Sequence, residues 1–238
     1  MSKIVTIAAY KGGVGKTTLA LELAYLLDAP LVDVDWDRGG ATRRWGYRHE
    51  DRIRAPLLDA LAHQRTPRLV RGHGKADLVP SHPELALAQP SGEDIATALE
   101  KWAGEWGRPW VVVDTHPGGV SSTFGAMNAA TVVLVPIQLA TNSLNALEGM
   151  LEEAADYPIV VVPNMVPTVP PASAVRRLRE LAERYQVRVA QPVSTCVALP
   201  NRQQRMAVAA LDPTPARLAR YVDELRGVAE VVKSYDAR

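Results

Sequence analysis

The sequence holds one cysteine, Cys196, and one phenylalanine in 238 residues. A lone thiol cannot close a disulfide within the chain, nor supply a two-cysteine zinc or iron–sulfur site. The role expected of Cys196 is that of a small buried residue. Neither sign of charge is in excess: 27 lysines and arginines stand against 26 aspartates and glutamates, a formal net charge of +1. A generally basic surface is excluded, so binding to nucleic acid would have to use a local patch. Long apolar runs are missing too. Met1-Ser2-Lys3 followed by Ile4-Val5-Thr6-Ile7 is too short for a secretory signal, and nowhere do about 18 apolar residues run together to span a bilayer. The expected location is the cytoplasm. Internal repeats, low-complexity tracts and convincing linkers are also lacking, and the proline-rich stretch 162–171 reads as a loop. With 47% hydrophobic and 22% charged residues, one domain over 1–238 is expected.

What is present is alternation. Short, almost wholly apolar runs at 4–8, 30–34, 110–113, 132–135 and 159–162 suit strands buried on both faces, with a weaker candidate at 187–193. Helical stripes lie between them. Leu19, Leu23, Leu26 and Leu27 make one; Ser91 with Asp94 suggests a capping box that leads into Ile95, Leu99, Trp102 and Trp106. Ala174, Leu178, Leu181, Ala182 and Tyr185 form another. A last helix is expected to open at Thr214-Pro215, with proline at its first position, and to carry Leu218, Tyr221, Val222, Leu225, Val228 and Val232. Such alternation predicts a doubly wound, mostly parallel α/β sheet with helices on both faces.

Between the first strand and the first helix lies Lys11-Gly12-Gly13-Val14-Gly15-Lys16-Thr17-Thr18. Glycines let consecutive backbone N–H groups turn toward an anion, and the helix N-terminus adds the positive end of its dipole. This is a P-loop: Lys16 is placed to reach the β- and γ-phosphates of a nucleotide and the Thr17 hydroxyl to ligate Mg²⁺. The loop departs from the common pattern twice, with Tyr10 where the first glycine would stand and a second lysine, Lys11, at its start.

In those features the chain resembles the deviant Walker A family, the ParA/MinD group of dimeric ATPases. The resemblance implies ATP and Mg²⁺ as ligands, with Lys11, Gly12, Gly13, Val14, Gly15, Lys16, Thr17 and Thr18 around the phosphates. It also implies that Lys11 reaches across a homodimer formed in the ATP state, offsetting charge on the transferring phosphoryl group as an arginine finger does. Leu31-Val32-Asp33-Val34-Asp35 is similar to the family's switch I strand end, which assigns Asp33 to the metal and Asp35 to positioning the attacking water. Family members commonly continue with Pro-Gln, whereas this chain has Trp36-Asp37-Arg38, and Asp37 competes for the water-positioning role. Asp77 to Ser81 is similar to a mid-chain strand ending in Pro-Ser. Val111 to Gly118 is similar to the Walker B and switch II segment, giving Asp114 to the Mg²⁺ shell. His116 stands where the family usually has proline. A general base is one reading of it; a substitution tolerated in the loop is the other, and the favoured one. Val135-Pro136-Ile137-Gln138 and Val162-Pro163-Asn164 match later strand ends, the second implying that Asn164 contacts adenine.

Within this family a single cysteine disfavours the nitrogenase iron protein and zinc-linked members. The ending from Val231 to Arg238 has neither bulky aromatics of the anchoring kind nor a cationic cluster, so MinD-like membrane attachment is not expected. The best match is a ParA-type partition ATPase for a plasmid, a chromosome or another cargo, working with a ParB-like partner or cargo adaptor. Because the sequence begins at the first strand, no operator-reading extension is expected, and DNA binding would be non-specific and nucleoid-associated. Candidate DNA contacts are Arg176 and Arg177, whose helix also carries acidic i,i+4 neighbours, and Arg202 and Arg205, which lack them. The Arg43-Arg44-Trp45 stretch suits an interface or switch role better than base stacking. The alternatives are a MinD-like or carboxysome- or cluster-positioning ATPase and a dethiobiotin-synthetase-like ATP-dependent ligase.

Overall fold

The structure is a computed structural model that describes residues 2–37, 40–49, 55–199 and 205–235. Its strands are β1 (Lys3–Ile7), β2 (Leu31–Asp33), β3 (Leu78–Val79), β4 (Trp110–Asp114), β5 (Val132–Ile137), β6 (Ile159–Pro163) and β7 (Arg188–Val189). They form one seven-stranded sheet in the order β3-β2-β4-β1-β5-β6-β7, and every pairing is parallel. The helices are α1 (Lys16–Leu26), α2 (Ala41–Trp45), α3 (Pro56–Ala62), α4 (Leu85–Ala88), α5 (Gly92–Trp106), α6 (Ser121–Asn128), α7 (Thr141–Ala154), α8 (Ala172–Arg184) and α9 (Ala216–Lys233).

The central strands are apolar at nearly every position because both faces are covered, and successive side chains divide between the faces. Val5, Ile7, Val112 and Leu134 pack with Leu19 and Leu23 of α1 and with Leu218, Val222 and Leu225 of α9. On the opposite face Ile4, Val111 and Val113 meet Ile95, Leu99 and Trp102 of α5. Farther along that face Val133, Val135 and Val161 meet Leu147 and Leu151 of α7 and Leu178 and Leu181 of α8. This is the doubly wound sheet that the alternation predicts.

Three local expectations are refined. Ser91 does cap α5, accepting from the Asp94 N–H at 3.0 Å, and its hydroxyl donates to the Asp94 carboxylate at 2.7 Å. Helix α9 starts at Ala216, one residue later than the sequence suggests, because Pro215 has ψ 137 and acts as the cap. The strand expected over 187–193 shrinks to Arg188–Val189. Pro192 has no N–H to donate, and contact with β6 resumes only where the Val193 N–H reaches the Pro163 carbonyl at 2.8 Å.

After β1 the chain crosses over the later position of β4 to reach β2, whereas β5 lies on the other side of β1. The strand order therefore reverses at β1, and a crevice opens at the carboxyl ends of β1, β2 and β4, where such sheets bind ligands.

Candidate functional site

The loop leaving β1 turns on Gly13 and Gly15, with φ of 79° and 91°, a region that favours glycine. A Cβ at Gly15 would also lie 2.3 Å from the Asn164 side-chain nitrogen, so packing and backbone both demand glycine there. At Gly12 and Gly13 the same position meets nothing within 4 Å, which leaves the rim of the loop open. No side chain caps the N-terminus of α1, so its first amides remain for an anion. Tyr10 tolerates the place of the missing glycine because its side chain leaves the loop altogether. Its hydroxyl donates to Glu153 of α7 at 2.5 Å, and burial followed by that contact pushes its ionisation up.

Lys16 is buried at the helix start, where burial lowers its ammonium while the Asp114, Asp35 and Asp37 carboxylates hold it up. Lys11 is half-buried and makes no hydrogen bond or ion pair among the described residues. Asn164, at the end of β6, donates from its side-chain amide to the Val14 carbonyl at 2.8 Å and clamps the loop against the sheet. Gln138, at the end of β5, reaches the Gly13 carbonyl from the same side at 3.4 Å.

Asp33 and Asp114 are register partners at the ends of neighbouring strands and are both fully buried. Their environments differ. Asp33 accepts from the Asp35 N–H at 3.0 Å, and from the Thr42 N–H and hydroxyl at 2.6 Å each. The Thr42 hydroxyl in turn accepts from the Ser81 N–H at 2.8 Å, tying the end of β2 to α2 and to the segment after β3. Burial, and then the Asp114 charge, raise the Asp33 carboxyl well above its ordinary range against the opposing Thr42 bonds. Asp114 has no such close partners: neither oxygen accepts a hydrogen bond of ordinary geometry among the described residues, although the Thr17 hydroxyl lies near enough to stabilise its charge. Burial pushes its carboxyl up to about 7, offset in part by the Thr17 hydroxyl and the Lys16 ammonium and reinforced by Asp35. Two orphaned, buried oxygens beside a P-loop threonine form a hard, oxygen-only donor set, and these residues fit Mg²⁺.

Asp35 and Asp37 are separated by burial. The Asp35 side chain is 8% exposed and that of Asp37 59%. Asp35 Oδ1 accepts from the Asp37 N–H at 3.0 Å and from His116 Nδ1 at 2.9 Å. His116, expected as a tolerated loop substitution, is in direct contact with Asp35. Its ring stacks on Trp36, with centroids 4.0 Å apart and planes 14° from parallel.

Of the arginines expected to contact DNA, Arg176 and Arg177 are engaged by glutamates. Arg176 lies 4.0 Å from Glu180, while Arg177 and Arg184 both pair with Glu148 of α7, at 2.8 and 3.4 Å. Of the i,i+4 pairs on that helix only Arg176–Glu180 forms among the described residues, and Arg184 turns to Glu148 instead of Glu180. Arg202 lies outside the described residues. Arg205 lines a cleft of about 460 Å³ with Arg43, Arg44, Lys75 and Thr18. Sequence separation concealed that grouping. Burial, and then the Arg205 charge, lower the Lys75 ammonium, which sits 3.6 Å from the Trp45 ring centre and donates to the Trp45 carbonyl at 2.7 Å. The carboxylate in the cleft, Glu22, is engaged by the Val208 N–H at 2.8 Å and the Ala209 N–H at 3.2 Å.

A parallel sheet with a glycine loop at its switch point, a buried loop lysine and a buried strand-end aspartate define the P-loop nucleotide-binding class. Residues 2–157 match the AAA domain family. The chain belongs to it, within the ParA/MinD group. Its sequence is 33% identical over 156 residues to the chromosome-partitioning ATPase Soj of Thermus thermophilus, a match taking in 62% of this chain and 59% of Soj. The chain therefore spans about three fifths of that relative's length. Its fold is similar to that of Cyanothece McdA in a complex with ATP (TM-score 0.78, 18% identity, 100% of this chain and 98% of the other). It is also similar to that of cobyrinic acid a,c-diamide synthase from Mycobacterium smegmatis with bound ADP and magnesium (TM-score 0.68, 21% identity, 98% and 94%). The same fold is thus shared by a protein in complex with ATP and by a synthase with bound ADP and magnesium. Among the described residues no helix is long and apolar enough to cross a membrane.

Proposed function

We propose that the chain binds and hydrolyses ATP and uses the ATP state to dimerise on DNA, as a partition or positioning ATPase working with a ParB-like partner or cargo adaptor. The observation that carries this reading is Asp114: a fully buried carboxylate that accepts no hydrogen bond of ordinary geometry among the described residues, beside the Thr17 hydroxyl and the uncapped N-terminus of α1. A site left in that condition is built for a cation and an anion together. In this reading the amides of residues 12–18 and the Lys16 ammonium hold the phosphates, and Asn164 supports the loop beside the base. Thr17 and Asp114 hold Mg²⁺, with Asp33 behind them as the anchor of switch I. The ion, when bound, neutralises phosphate charge.

Asp35 orients the water. One of its oxygens is taken by two donors, and the other has no partner among the described residues. Water attacks the γ-phosphorus, the bond to the β,γ-bridging oxygen breaks, ADP leaves with the electron pair, and the water's proton passes to the departing phosphate. Asp35 has no need to take the proton early. Lys11 has no hydrogen-bond or ion-pair partner among the described residues and is assigned to the nucleotide of the other protomer.

For DNA, the cleft formed by Arg43, Arg44, Lys75 and Arg205 concentrates positive charge that the helix carrying Arg176 and Arg177 largely neutralises with glutamates. Two copies of the cleft in a dimer would double the phosphate contacts and steepen the salt dependence. Fluorescence anisotropy with unrelated duplexes, in ADP, in ATP and across a salt series, tests the switch. Binding in ATP alone, weakened about equally on all sequences by Lys75→Ala with Arg205→Ala, is expected. Equal binding in both nucleotides, or none in either, contradicts it.

A further inference from the structure

The two residues that depart most from the family pattern around the site, Trp36 and His116, lie in different loops and touch each other. Trp36 follows β2 and His116 follows β4. These strands are neighbours in the sheet, with Asp33 opposite Asp114, so the residues just beyond their ends converge. The indole and imidazole stack at 4.0 Å and 14°, with Trp36 half-buried and the His116 side chain 17% exposed. Stacking fixes the plane of the imidazole. In that plane Nδ1 points at Asp35 Oδ1, 2.9 Å away. A carboxylate oxygen only accepts, so Nδ1 carries the hydrogen of this bond. The loop carrying His116 is held at two further points: the His116 carbonyl accepts from the Thr123 hydroxyl of α6 at 3.1 Å, and the Gly118 N–H donates to the Ala9 carbonyl at 3.2 Å. On the other side Gly40 closes the turn after Asp35, with its N–H on the Asp37 carbonyl at 3.0 Å.

We propose that Trp36 and His116 form a latch between the two switch segments, pinning Asp35 through Oδ1 so that Oδ2 is presented to the attacking water. Both are positioning residues, since they act through Asp35 and not on the nucleotide. The inference rests on the reading of Asp35 given above. Without the latch the Asp37 N–H alone holds Oδ1, and the carboxylate can turn about its side-chain bonds. Water is then oriented for a smaller fraction of the time, which slows turnover and leaves ATP affinity alone. Asp37, whose carboxylate lies 3.8 Å from His116 Nδ1, is the group that would compete for the imidazole if the stack were lost.

The test separates the bond from the stack. His116→Phe keeps a ring against Trp36 and removes the donor; His116→Asn removes the ring and places an amide donor near the position of Nδ1. Steady-state ATP turnover is measured for both, for Trp36→Phe and Trp36→Leu, and for Asp35→Ala in parallel, with Mg·ADP-induced thermal stabilisation as the check on folding and nucleotide binding. His116→Phe is expected to lower kcat by about tenfold or more at unchanged KM. His116→Asn should restore kcat to within about threefold, and Trp36→Leu should fall below Trp36→Phe. Wild-type kcat in His116→Phe, or equal loss in His116→Asn and His116→Phe, overturns the latch while leaving Asp35 in place. Undiminished turnover in Asp35→Ala overturns both readings together.

Discussion

Replacing Asp114 with asparagine removes a charge that the folded, ligand-free chain accommodates badly. The carboxyl is wholly buried, accepts no hydrogen bond of ordinary geometry among the described residues, and is raised from 3.8 to about 7 despite the nearby Thr17 hydroxyl. At about 1.36 kcal/mol per unit that is on the order of 4 kcal/mol of destabilisation once the group is ionised. The amide is neutral but brings its own unpartnered donors and acceptor, at about 1–3 kcal/mol. A net gain of about 2 kcal/mol remains at pH 8, or about 4–8 °C in Tm for a chain of this size. The sign with pH follows from the raised value: the stability associated with the protonated carboxyl is fully present below the unfolded pKa of 3.8 and is lost as pH rises through about 7. Near pH 5.5 the wild-type penalty is about half spent, close to that of the amide, and the two proteins should unfold together. Circular dichroism melts with chelator at pH 5.5 and pH 8 read this directly. Mg·ADP should then stabilise the wild type more than the variant, reversing the ranking seen without ligand. An Asp114→Asn protein less stable than wild type at pH 8 in chelator would refute the reasoning, because it would show that the carboxylate is satisfied within the chain.

Two further outcomes follow from the loop. Lys11→Ala should retain ADP affinity and lose ATP-induced dimerisation in light scattering, since Lys11 makes no hydrogen bond or ion pair among the described residues; a normal ATP dimer would remove its role across the interface. Gly15→Ala places a methyl 2.3 Å from the Asn164 amide at φ 91°, so nucleotide binding by calorimetry should drop at least about tenfold with the Val14–Asn164 bond displaced, and wild-type affinity would show that the loop adjusts freely.

The fold was legible where the chain obeys local rules. Apolar runs of strand length, separated by helical stripes, gave five of the strands, and the glycine loop was found by its setting between β1 and α1. Tyr10 illustrates what local rules omit: its tolerance depends on Glu153 of α7, 143 residues away. The same holds for Asp33, which reads in sequence as a metal ligand, while its oxygens are committed in the structure to Thr42 and Asp35. The contact between His116 and Asp35 spans 81 residues and leaves no periodic signal. One clue was available, since two departures from a family pattern just beyond the ends of adjacent parallel strands must lie close together. Using it requires the strand order. The cleft shared by Arg43, Arg44, Lys75 and Arg205 was hidden for a similar reason: charge counted along the chain does not show which arginines face a glutamate, and the i,i+4 rule missed Glu148 on a neighbouring helix.

The central claim, that this site hydrolyses ATP through a water held by Asp35, is tested most directly by single-turnover phosphate release from Mg·ATP in the wild type and in Asp35→Ala. The wild type should release phosphate, and Asp35→Ala should bind Mg·ATP with similar affinity yet release it at least about a hundredfold more slowly. Phosphate release at the wild-type rate from Asp35→Ala, or none from the wild type with ATP bound, would contradict the account.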